Sequence, residues 1–320
     1  WQGHPFQVGA SIGVALVEPD GHDVAEILSA ADVAAYTAKD LGRNRVHVWQ
    51  PHDDAIRQRQ GEMHILTVLS EALNGDRFLL ESQPIRHFRG EGPQRHEELL
   101  VRLIHPGSGE VLAPDRFIPA AERYGVMPSL DRWVIGHAFA ALAAPLRASL
   151  DSHGQPTWLF NINLSGASLG DGSLLAWIRE QAREHDLPPA GICFEITETA
   201  AVANLLETRG FIHELRRDGF RFALDDFGSG LSSFAYLKDL EVDWLKIDGH
   251  FIRDLLTDPV DKALVGAINE VGRVMGLRTI AEAAETEDQI TALAGLGVDA
   301  VQGFGVATPR RLDESLTPGN

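Results

Sequence analysis

Seven short apolar segments of this chain each lead to a side chain that could bind a metal ion or act on phosphate. These side chains are Glu98, Asn163, Glu195, the pair Asp225 and Asp226, Lys246, Glu282 and Gln302. Each segment is typical of a β-strand, and helix-length stretches separate most of them. A fold that places one functional side chain at the end of each successive strand is a barrel with its site at one mouth. The pattern therefore indicates metal-dependent phosphate chemistry.

Four of these positions supply oxygen donors, namely Glu98, Asn163, Glu195 and Asp225. Carboxylate and amide oxygens suit Mg²⁺ or Mn²⁺, whereas zinc sites usually include histidine or cysteine. The 13 histidines show no HExxH or HxH spacing, which argues against zinc. A single carboxylate in such a place could be a solvated loop charge or a helix cap, but four at matching strand ends favour a divalent-cation site.

Asp225 and Asp226 are neighbours, and neighbours on a strand face opposite sides. Both can serve one site only where the strand breaks into a loop, and the FGSG that follows them supplies such a break. Paired acidic residues can bridge two cations about 3.5–4 Å apart, the arrangement used for displacement at phosphorus. The alternative is an Asx-turn that merely starts the loop.

Lys246 lies in an apolar strand, and its surroundings allow three roles. It could form a structural ion pair, orient a nucleophile while neutralising charge on phosphate, or transfer a proton if cations lower its pKa. Five ionised carboxylates (Glu98, Glu195, Asp225, Asp226, Glu282) and Lys246 give the site a charge of −5 + 1 = −4. Two divalent cations would bring that charge to zero, so only the loaded site should accept an anionic phosphodiester.

The composition excludes several functions. With 28 basic and 46 acidic residues the net charge is −18, so the chain should repel duplex nucleic acid. A single cysteine, Cys193, excludes an internal disulfide and fits the cytoplasm. No apolar run reaches the roughly 18 residues of a membrane span, and no membrane contact is expected within this chain. The start resembles the middle of a longer protein, whose upstream part could carry a sensor or a membrane anchor.

The elements that must position the site are eight candidate strands with helices between most of them. The predicted strands are 78–88, 97–104, 157–165, 192–198, 220–227, 244–249, 278–285 and 300–306, and the predicted helices are 115–125, 130–146, 174–186, 207–219 and 261–276. Eight strands over about 240 residues predict an α/β fold, a (β/α)8 TIM-like barrel. A doubly wound open sheet is the alternative, but no glycine-rich dinucleotide turn follows an early strand.

A smaller unit precedes the barrel. Residues 6–16 and 45–49 are predicted strands, residues 25–42 a helix, and residues 52–75 a connecting helix. One helix and two strands bury little surface, so this piece should be a fragment of a larger domain. The predicted organisation is therefore a fragment at 1–50, a linker helix at 51–76 and the barrel at 77–320.

The motifs of the barrel, taken in order, resemble the EAL-domain cyclic di-GMP phosphodiesterases. The ELLVR segment with Glu98 and Arg102 is similar to the family's E-x-L-x-R, and NLS at 163–165 and EITE at 195–198 match the next two motifs. DDFGSGLSSFAYLK (225–238), LKIDG (245–249), TIAEAAE (279–285) and VQGFG (301–305) match the rest. Residues 6–50 resemble the C-terminal part of a GGDEF diguanylate cyclase domain, without its signature motif or its nucleotide-binding half.

This resemblance implies hydrolysis of cyclic di-GMP to linear pGpG by water, with two Mg²⁺ or Mn²⁺ ions and a homodimer formed through the barrel. It implies a role in metal binding for Glu98, Asn163, Glu195, Asp225 and Asp226, and substrate contacts for Gln83, Arg102 and Gln302. It implies a catalytic role in the hydrolytic centre for Lys246, Glu282, Glu98 and Asp226. It also implies that Glu198 anchors the loop 225–238, which couples dimerisation to activity in such proteins.

The chain departs from the family pattern at two places. The first motif reads ELL instead of EAL, an exchange between apolar side chains. Ala283 stands where glycine is common, which would perturb the second metal if the backbone there needs a positive φ. The role of Glu285 is open, since it would point away from the site if the strand continued that far.

Two other functions compete with hydrolysis. One is a receptor that binds cyclic di-GMP without cleaving it, although such a protein would be expected to have lost Glu98, Lys246 or one of the two aspartates. The other is a scaffold that uses the barrel only for docking, in which case a chelator should change neither activity nor melting temperature.

Overall fold

The computed structural model describes residues 10–17, 24–40, 44–49, 65–90, 92–230 and 234–317. The chain divides into two compact units, Trp1–Ser70 and Glu71–Asn320. Within the described ranges, no helix is both long enough and apolar enough to cross a bilayer.

The first unit contains two short parallel strands and one helix. Strands β1 (Ile12–Val14) and β2 (Val46–Val48) pair directly, and helix α1 (Val24–Asp40) connects them. Gly13 lets α1 lie against β1, because a Cβ there would come within 2.0 Å of the Ala35 amide nitrogen. Both strands lie within the predicted ranges, and α1 begins one residue before the predicted helix (25–42). Of the predicted linker helix, residues 52–64 lie outside the described ranges, and residues 65–74 are helical (α2).

The second unit is built on one large sheet. Its strands are β3 (Phe78–Pro84), β4 (Arg86–His87), β5 (Arg95–Ile104), β6 (Val111–Leu112), β7 (Trp158–Asn163), β8 (Ile192–Thr197), β9 (Arg221–Phe227), β10 (Trp244–Ile247), β11 (Arg278–Ala281), β12 (Ala300–Val301) and β13 (Arg310–Arg311). The order is β13-β3-β5-β7-β8-β9-β10-β11-β12-β4, with β6 beside β5. Only Ile85 separates β3 from β4, so one stretch of chain pairs with β5 at one edge and with β12 at the other. The sheet thus closes into a barrel with eight strand positions.

The predicted TIM-like α/β fold is confirmed, with one difference in strand direction. Strands β5, β7, β8, β9, β10, β11 and β12 run parallel, but the β3–β4 stretch is antiparallel to both of its neighbours. The connection from His87 to Arg95 is too short for the crossover of a dozen or more residues that a parallel pair requires. The chain therefore turns back and enters β5 in the opposite direction.

Helices cover the outside of the barrel. The α-helices are α3 (Ile118–Arg123), α4 (Met127–Ala148), α5 (Gly172–Glu184), α6 (Glu198–Ala203), α7 (Leu205–Arg217), α8 (Gly249–Arg253), α9 (Pro259–Met275), α10 (Glu287–Gly295) and α11 (Leu312–Ser315). Short 3₁₀ helices occur at Pro114–Arg116, Gly166–Ser168, Pro189–Gly191 and Phe234–Asp239. Asp171 and Asp258 cap α5 and α9 by accepting backbone N–H bonds, and Gly276 ends α9 at φ 75°.

Below the predicted site, the inside of the barrel is filled by an apolar layer. Seven buried side chains from seven different strands or strand junctions form it: Ile85, Leu159, Cys193, Ala223, Trp244, Ile280 and Ala300. Inward-facing residues alternate along a strand, so the next inward position on β10 after Trp244 is Lys246. The layer thus forms an apolar floor beneath the polar end of the barrel.

Helix α10 begins with a capping box that its stability should depend on. The Thr286 hydroxyl accepts a hydrogen bond from the backbone N–H of Gln289, and the Gln289 side-chain oxygen accepts one from the backbone N–H of Thr286. We expect Thr286→Ala to lower the free energy of unfolding by about 1 kcal/mol, because an amide at the start of the helix loses its partner. Urea denaturation measures the change, with the exposed Thr257→Ala as control; equal values for both variants would contradict the prediction.

Candidate functional site

The predicted polar side chains gather at the mouth formed by the carboxyl ends of the parallel strands. Glu98 lies on β5, Asn163 ends β7, Glu195 lies near the end of β8, and Asp225 and Asp226 lie near the end of β9. Lys246 is the third residue of β10, and Glu282 and Gln302 directly follow β11 and β12. On the strands from β7 to β12, apolar residues precede the polar one, so the strand is held in the core while its end reaches the mouth. On β5 the apolar residues follow Glu98 instead.

Lys246 is the centre of this cluster. Its Nζ lies 2.7 Å from Glu282 Oε1, 2.8 Å from Glu195 Oε2, 3.1 Å from Asp225 Oδ1 and 3.2 Å from Glu98 Oε2. The lysine is fully buried, and Glu195 is only 1% exposed. One ammonium group therefore balances part of the charge of four carboxyl groups.

Burial and mutual repulsion set the protonation of the cluster. Burial opposes the charge on Lys246, but the carboxylates of Asp225, Glu195, Glu282 and Glu98 outweigh it and raise the pKa of Lys246 well above its usual range. Sequence reasoning left open a lowered pKa for this lysine; in the metal-free protein the direction is the opposite, and the group stays charged.

The pKa values of the carboxyl groups around Lys246 shift in different directions. Burial, reinforced by Glu98, raises the pKa of Glu195 well above its usual range, and burial reinforced by Asp225 does the same for Glu282. Burial also favours the neutral form of Glu98, but Lys246 and the amides of Gln302 and Asn163 outweigh it and lower its pKa. The cluster thus holds more acidic groups than one ammonium can keep ionised.

Asp225 and Asp226 reach the same site because β9 bulges. Leu245 pairs with Leu224 and Ile247 with Phe227, so two residues of β9 lie opposite the single residue Lys246. Asp226 adopts φ 53°, in the left-handed region. Carboxylate oxygens of Asp225, Asp226 and Glu282 consequently lie within 4.8 Å of one another. Burial and then Asp225 raise the pKa of Asp226 to about 6.

Two amide side chains bond to Glu98, and a third bonds to one of these two. Asn163 Nδ2 donates to Glu98 Oε1 at 2.7 Å, and Gln302 Nε2 donates to Glu98 Oε2 at 2.7 Å. Gln302 Nε2 also lies 3.1 Å from Gln83 Oε1, and Gln83 Nε2 donates to the Ala307 carbonyl at 2.9 Å. The glutamate carboxylate is therefore fixed from the β3, β7 and β12 sides of the mouth.

A cleft of about 310 Å³ opens over the cluster. Its walls are formed by Gln83, Glu98, Gly249, Glu282, Ala283, Glu285, Gln302, Gly303 and Phe304. Glu285 is part of the wall because β11 ends at Ala281, four residues before the end predicted for this strand. Phe304, with 67% of its surface exposed, offers an aromatic face at the cleft that sequence reasoning did not single out.

Two predicted residues lie away from the lysine. Arg102 is four residues beyond Glu98 on β5, and its Nε lies 2.8 Å from Glu81 Oε2. Glu198 is buried at the start of α6, where Oε2 accepts the Gly228 amide at 2.8 Å and Oε1 accepts the Tyr236 hydroxyl at 2.7 Å. Glu198 thus binds both described ends of the segment that follows β9, of which residues 231–233 lie outside the described ranges.

The donor set fits divalent cations. Asp225 Oδ1 and Gln302 Oε1 are buried oxygens without a hydrogen-bond partner among the described residues, although Lys246 Nζ lies 3.1 Å from the former. Buried acceptors are normally satisfied, so both oxygens favour a bound cation or a ligand. Oxygen-only donors with surplus negative charge are typical of Mg²⁺ or Mn²⁺ sites.

Sequence reasoning missed a second tier of buried polar groups. Asn161 Nδ2 donates to Glu195 Oε1 at 2.6 Å, and Asn161 Oδ1 lies 2.9 Å from His96 Nε2. The available signal was their spacing, because Asn161 and His96 each precede a predicted site residue by two positions on the same strand. Alternation places such residues on the inward face.

Removing the lysine charge should destabilise the metal-free protein. In a chelator, we expect Lys246→Met to lower the free energy of unfolding by about 3–5 kcal/mol, because the buried carboxylates lose their counter-charge. Added Mn²⁺ should restore part of the loss. Urea denaturation with and without the ion measures both effects; the exposed Lys262→Met on α9 is the matched control, and equal stability of the two variants would refute the prediction.

Ala283 carries backbone strain at the rim of the cleft. It adopts φ 51°, and a Cβ on Gly249 would lie 2.6 Å from the Ala283 Cβ, so Gly249 makes room for it. We expect Ala283→Gly to raise the free energy of unfolding by about 1 kcal/mol, since glycine adopts this conformation without strain. The same exchange at Ala294, inside α10, should have the opposite sign. Denaturation curves that shift in the same direction for both variants would contradict this account.

Comparison with known proteins agrees with the motifs. Residues 67–309 match the EAL domain family, and residues 1–45 match the family described as diguanylate cyclase, GGDEF domain. The cyclic di-GMP phosphodiesterase PdeB of Shewanella oneidensis is 38% identical over 307 residues, covering 96% of this chain and 35% of PdeB. MucR of Pseudomonas aeruginosa, a bifunctional diguanylate cyclase/cyclic di-GMP phosphodiesterase, is 34% identical, covering 98% of this chain and 44% of MucR. The chain thus spans less than half the length of these relatives.

Solved structures resemble the barrel closely. The MucR phosphodiesterase in complex with c-di-GMP has a TM-score of 0.70 at 31% identity, covering 79% of this chain and 99% of that structure. The EAL domain of FimX from Pseudomonas aeruginosa, also bound to c-di-GMP, has a TM-score of 0.69 at 28% identity, covering 77% of this chain and 96% of that domain. Since the family match covers well over half of the sequence and includes every strand of the barrel up to β12, the chain belongs to the EAL domain family.

Proposed function

We propose that this chain is a cyclic di-GMP phosphodiesterase that uses two Mg²⁺ or Mn²⁺ ions and releases linear pGpG. The observation that carries the proposal is the Lys246 cluster, in which four carboxylates from four strands lie within 3.2 Å of one buried ammonium. A domain that only binds the nucleotide has no need for this concentration of buried charge, which is destabilising without cations.

The donor set divides between two cation positions. In this proposal, Glu98, Asn163, Glu195 and Asp225 hold one cation, and Asp225 with Asp226 reaches the second. When bound, the cations would offset the charge of the phosphodiester and make water a stronger nucleophile. The bulge at Asp225 and Asp226 supports the division, because it brings two adjacent carboxylates to one side of the strand.

Lys246 and Glu282 act in the hydrolytic centre. The Lys246 ammonium is held by four acceptors and has no freedom to leave the mouth, so it presents a fixed positive charge to the phosphate oxygens. Glu282 lines the cleft and bonds to the lysine at 2.7 Å, which places it between the ammonium and an incoming ligand.

The walls of the cleft would bind the rest of the nucleotide. Gln83 and Gln302 offer amide groups, and Phe304 offers an exposed ring on which a guanine base can stack. Arg102 would bind a phosphate oxygen after exchanging its present partner Glu81 for the substrate.

Glu198 would anchor the loop after β9, through which a homodimer formed by the barrel would act on the site. The proposal places this reaction in the cytoplasm.

Cleavage is tested by incubating the purified chain with cyclic di-GMP and Mg²⁺ or Mn²⁺ and following pGpG by chromatography. We expect turnover that a chelator abolishes. Glu98→Gln should lower the rate by at least about 100-fold, because even partners outside the ligand shell are worth 10–100-fold. Glu180→Gln, exposed on α5, is the matched control and should keep the wild-type rate.

Three results would decide between this proposal and its alternatives. No product with either cation up to about pH 9, where general bases are ionised, would refute hydrolysis. Tight binding of cyclic di-GMP without product would support a receptor. A chelator that changes neither the rate nor the melting temperature would support a scaffold in which the barrel only docks partners.

A further inference from the structure

A network of hydrogen-bonded polar side chains leads from the half-buried His87, at the end of β4, to the buried Glu195. His87 Nε2 lies 3.0 Å from His96 Nδ1, and His96 Nε2 lies 2.9 Å from Asn161 Oδ1. Asn161 Nδ2 is 2.6 Å from Glu195 Oε1, and Glu195 Oε2 is 2.8 Å from Lys246 Nζ. The proposed hydrolysis assigns a role to the last two residues but none to the first three.

The hydrogen bonds of this network run in one direction when Glu195 is ionised, as it is once it holds a cation. The ionised carboxylate only accepts, so the Asn161 amide turns its NH₂ group to the glutamate and its oxygen to His96. That oxygen also accepts, so His96 must carry its proton on Nε2. With its proton on Nε2, the His96 ring offers Nδ1 as an acceptor, and His87 Nε2 lies 3.0 Å from it as the donor. Every link is then a donor–acceptor pair.

Aromatic packing and burial hold the hydrogen-bonded side chains in place. Asn161 is fully buried and His96 is 3% exposed. The two imidazole rings are stacked at an interplanar angle of 17°, and Trp244 packs against both, with ring centroids 5.5 and 5.1 Å away. This packing restrains both rings; His96 and Asn161 are buried, and His87 is half-buried.

The effect on Glu195 is geometric. Its carboxylate receives one donor on each oxygen, Asn161 on Oε1 and Lys246 on Oε2, and two opposed donors fix the plane of the group. Each oxygen retains a second lone pair, so the fixed carboxylate can still bind a cation. Without Asn161, Oε1 would be a buried oxygen with no donor, and the group could rotate about the bond to the lysine.

We propose that Asn161 and His96 are positioning residues that hold the Glu195 carboxylate in the orientation that receives a divalent cation. The inference rests on the proposed function, since it assigns Glu195 to a cation. His96 acts through Asn161: its N–H fixes which way the amide points. Partners of this kind outside the ligand shell are worth 10–100-fold in metal affinity.

The test measures Mn²⁺ binding to the purified chain by calorimetry, without nucleotide. Asn161→Leu keeps the branching of the side chain but removes the donor, and it should weaken Mn²⁺ binding by 10–100-fold. The kcat for cyclic di-GMP should fall while its KM stays unchanged, because Asn161 lies below the cleft. The matched control is Thr279→Val, which removes a buried hydroxyl that bonds to Asn269 and Asp299; it should lower the melting temperature and leave Mn²⁺ affinity unchanged.

A second pair of variants tests the direction of the hydrogen bond between His96 and Asn161. Gln at position 96 can place an N–H near the same spot as Nε2, whereas Leu cannot. His96→Gln should therefore keep most of the Mn²⁺ affinity, and His96→Leu should lose it in the same direction as Asn161→Leu. Should Asn161→Leu fail to fold, this pair alone decides.

The outcomes separate the two proposals. Wild-type Mn²⁺ affinity in folded Asn161→Leu, or equal affinity in His96→Gln and His96→Leu, would overturn the positioning role. A wild type that binds Mn²⁺ but leaves cyclic di-GMP intact would refute hydrolysis only, because Mn²⁺ affinity still tests the positioning. A wild type that binds no Mn²⁺ would overturn both.

Discussion

The structure depends on one electrostatic constraint, namely that a buried ammonium must counterbalance more carboxyl groups than it can neutralise. Lys246 contacts four of them, and Asp226 adds a fifth nearby. Breaking up such a cluster is strongly destabilising, but assembling it is expensive too. The barrel makes assembly possible because each strand fixes one charged group at its end while the apolar layer below keeps the strands packed.

The same constraint explains where the backbone departs from regular geometry. A regular β9 would turn Asp226 away from Asp225, and the bulge opposite Lys246 with φ 53° prevents this. A longer β11 would turn Glu285 outward, but the strand ends at Ala281, and Ala283 takes a left-handed conformation next to Gly249. Strain of this kind collects at functional sites because the surrounding structure is rigid enough to impose it.

Much of this arrangement could be predicted from sequence because the signals are local. Short apolar runs that end on Glu195, Asp225 or Glu282 identify both the strand and the residue at its end, whereas the apolar run next to Glu98 follows it. The antiparallel direction of the β3–β4 stretch could not be predicted from its own residues. It follows from the connection to β5, which is too short to contain a helix. The early end of β11 was missed because TIAEAAE continues the apolar pattern. Asn161 and His96 were missed because, in a sequence, a buried polar residue looks the same as an exposed one until its hydrogen-bond partners are known.

In the proposed function, the negative charge at the mouth of the barrel also determines the order in which cations and nucleotide bind. The ionised cluster carries up to −4, and each phosphodiester of a cyclic dinucleotide adds another negative charge. Repulsion in a partly buried site is poorly screened by salt, so the nucleotide is excluded until cations have bound. Glu195 and Glu282, whose pKa values are raised well above the usual range by burial, must also lose their protons at that step. In the positioning proposed for Glu195, a carboxylate that already has its final orientation lowers the cost of this loading, and the buried amide and imidazole groups behind it supply that orientation.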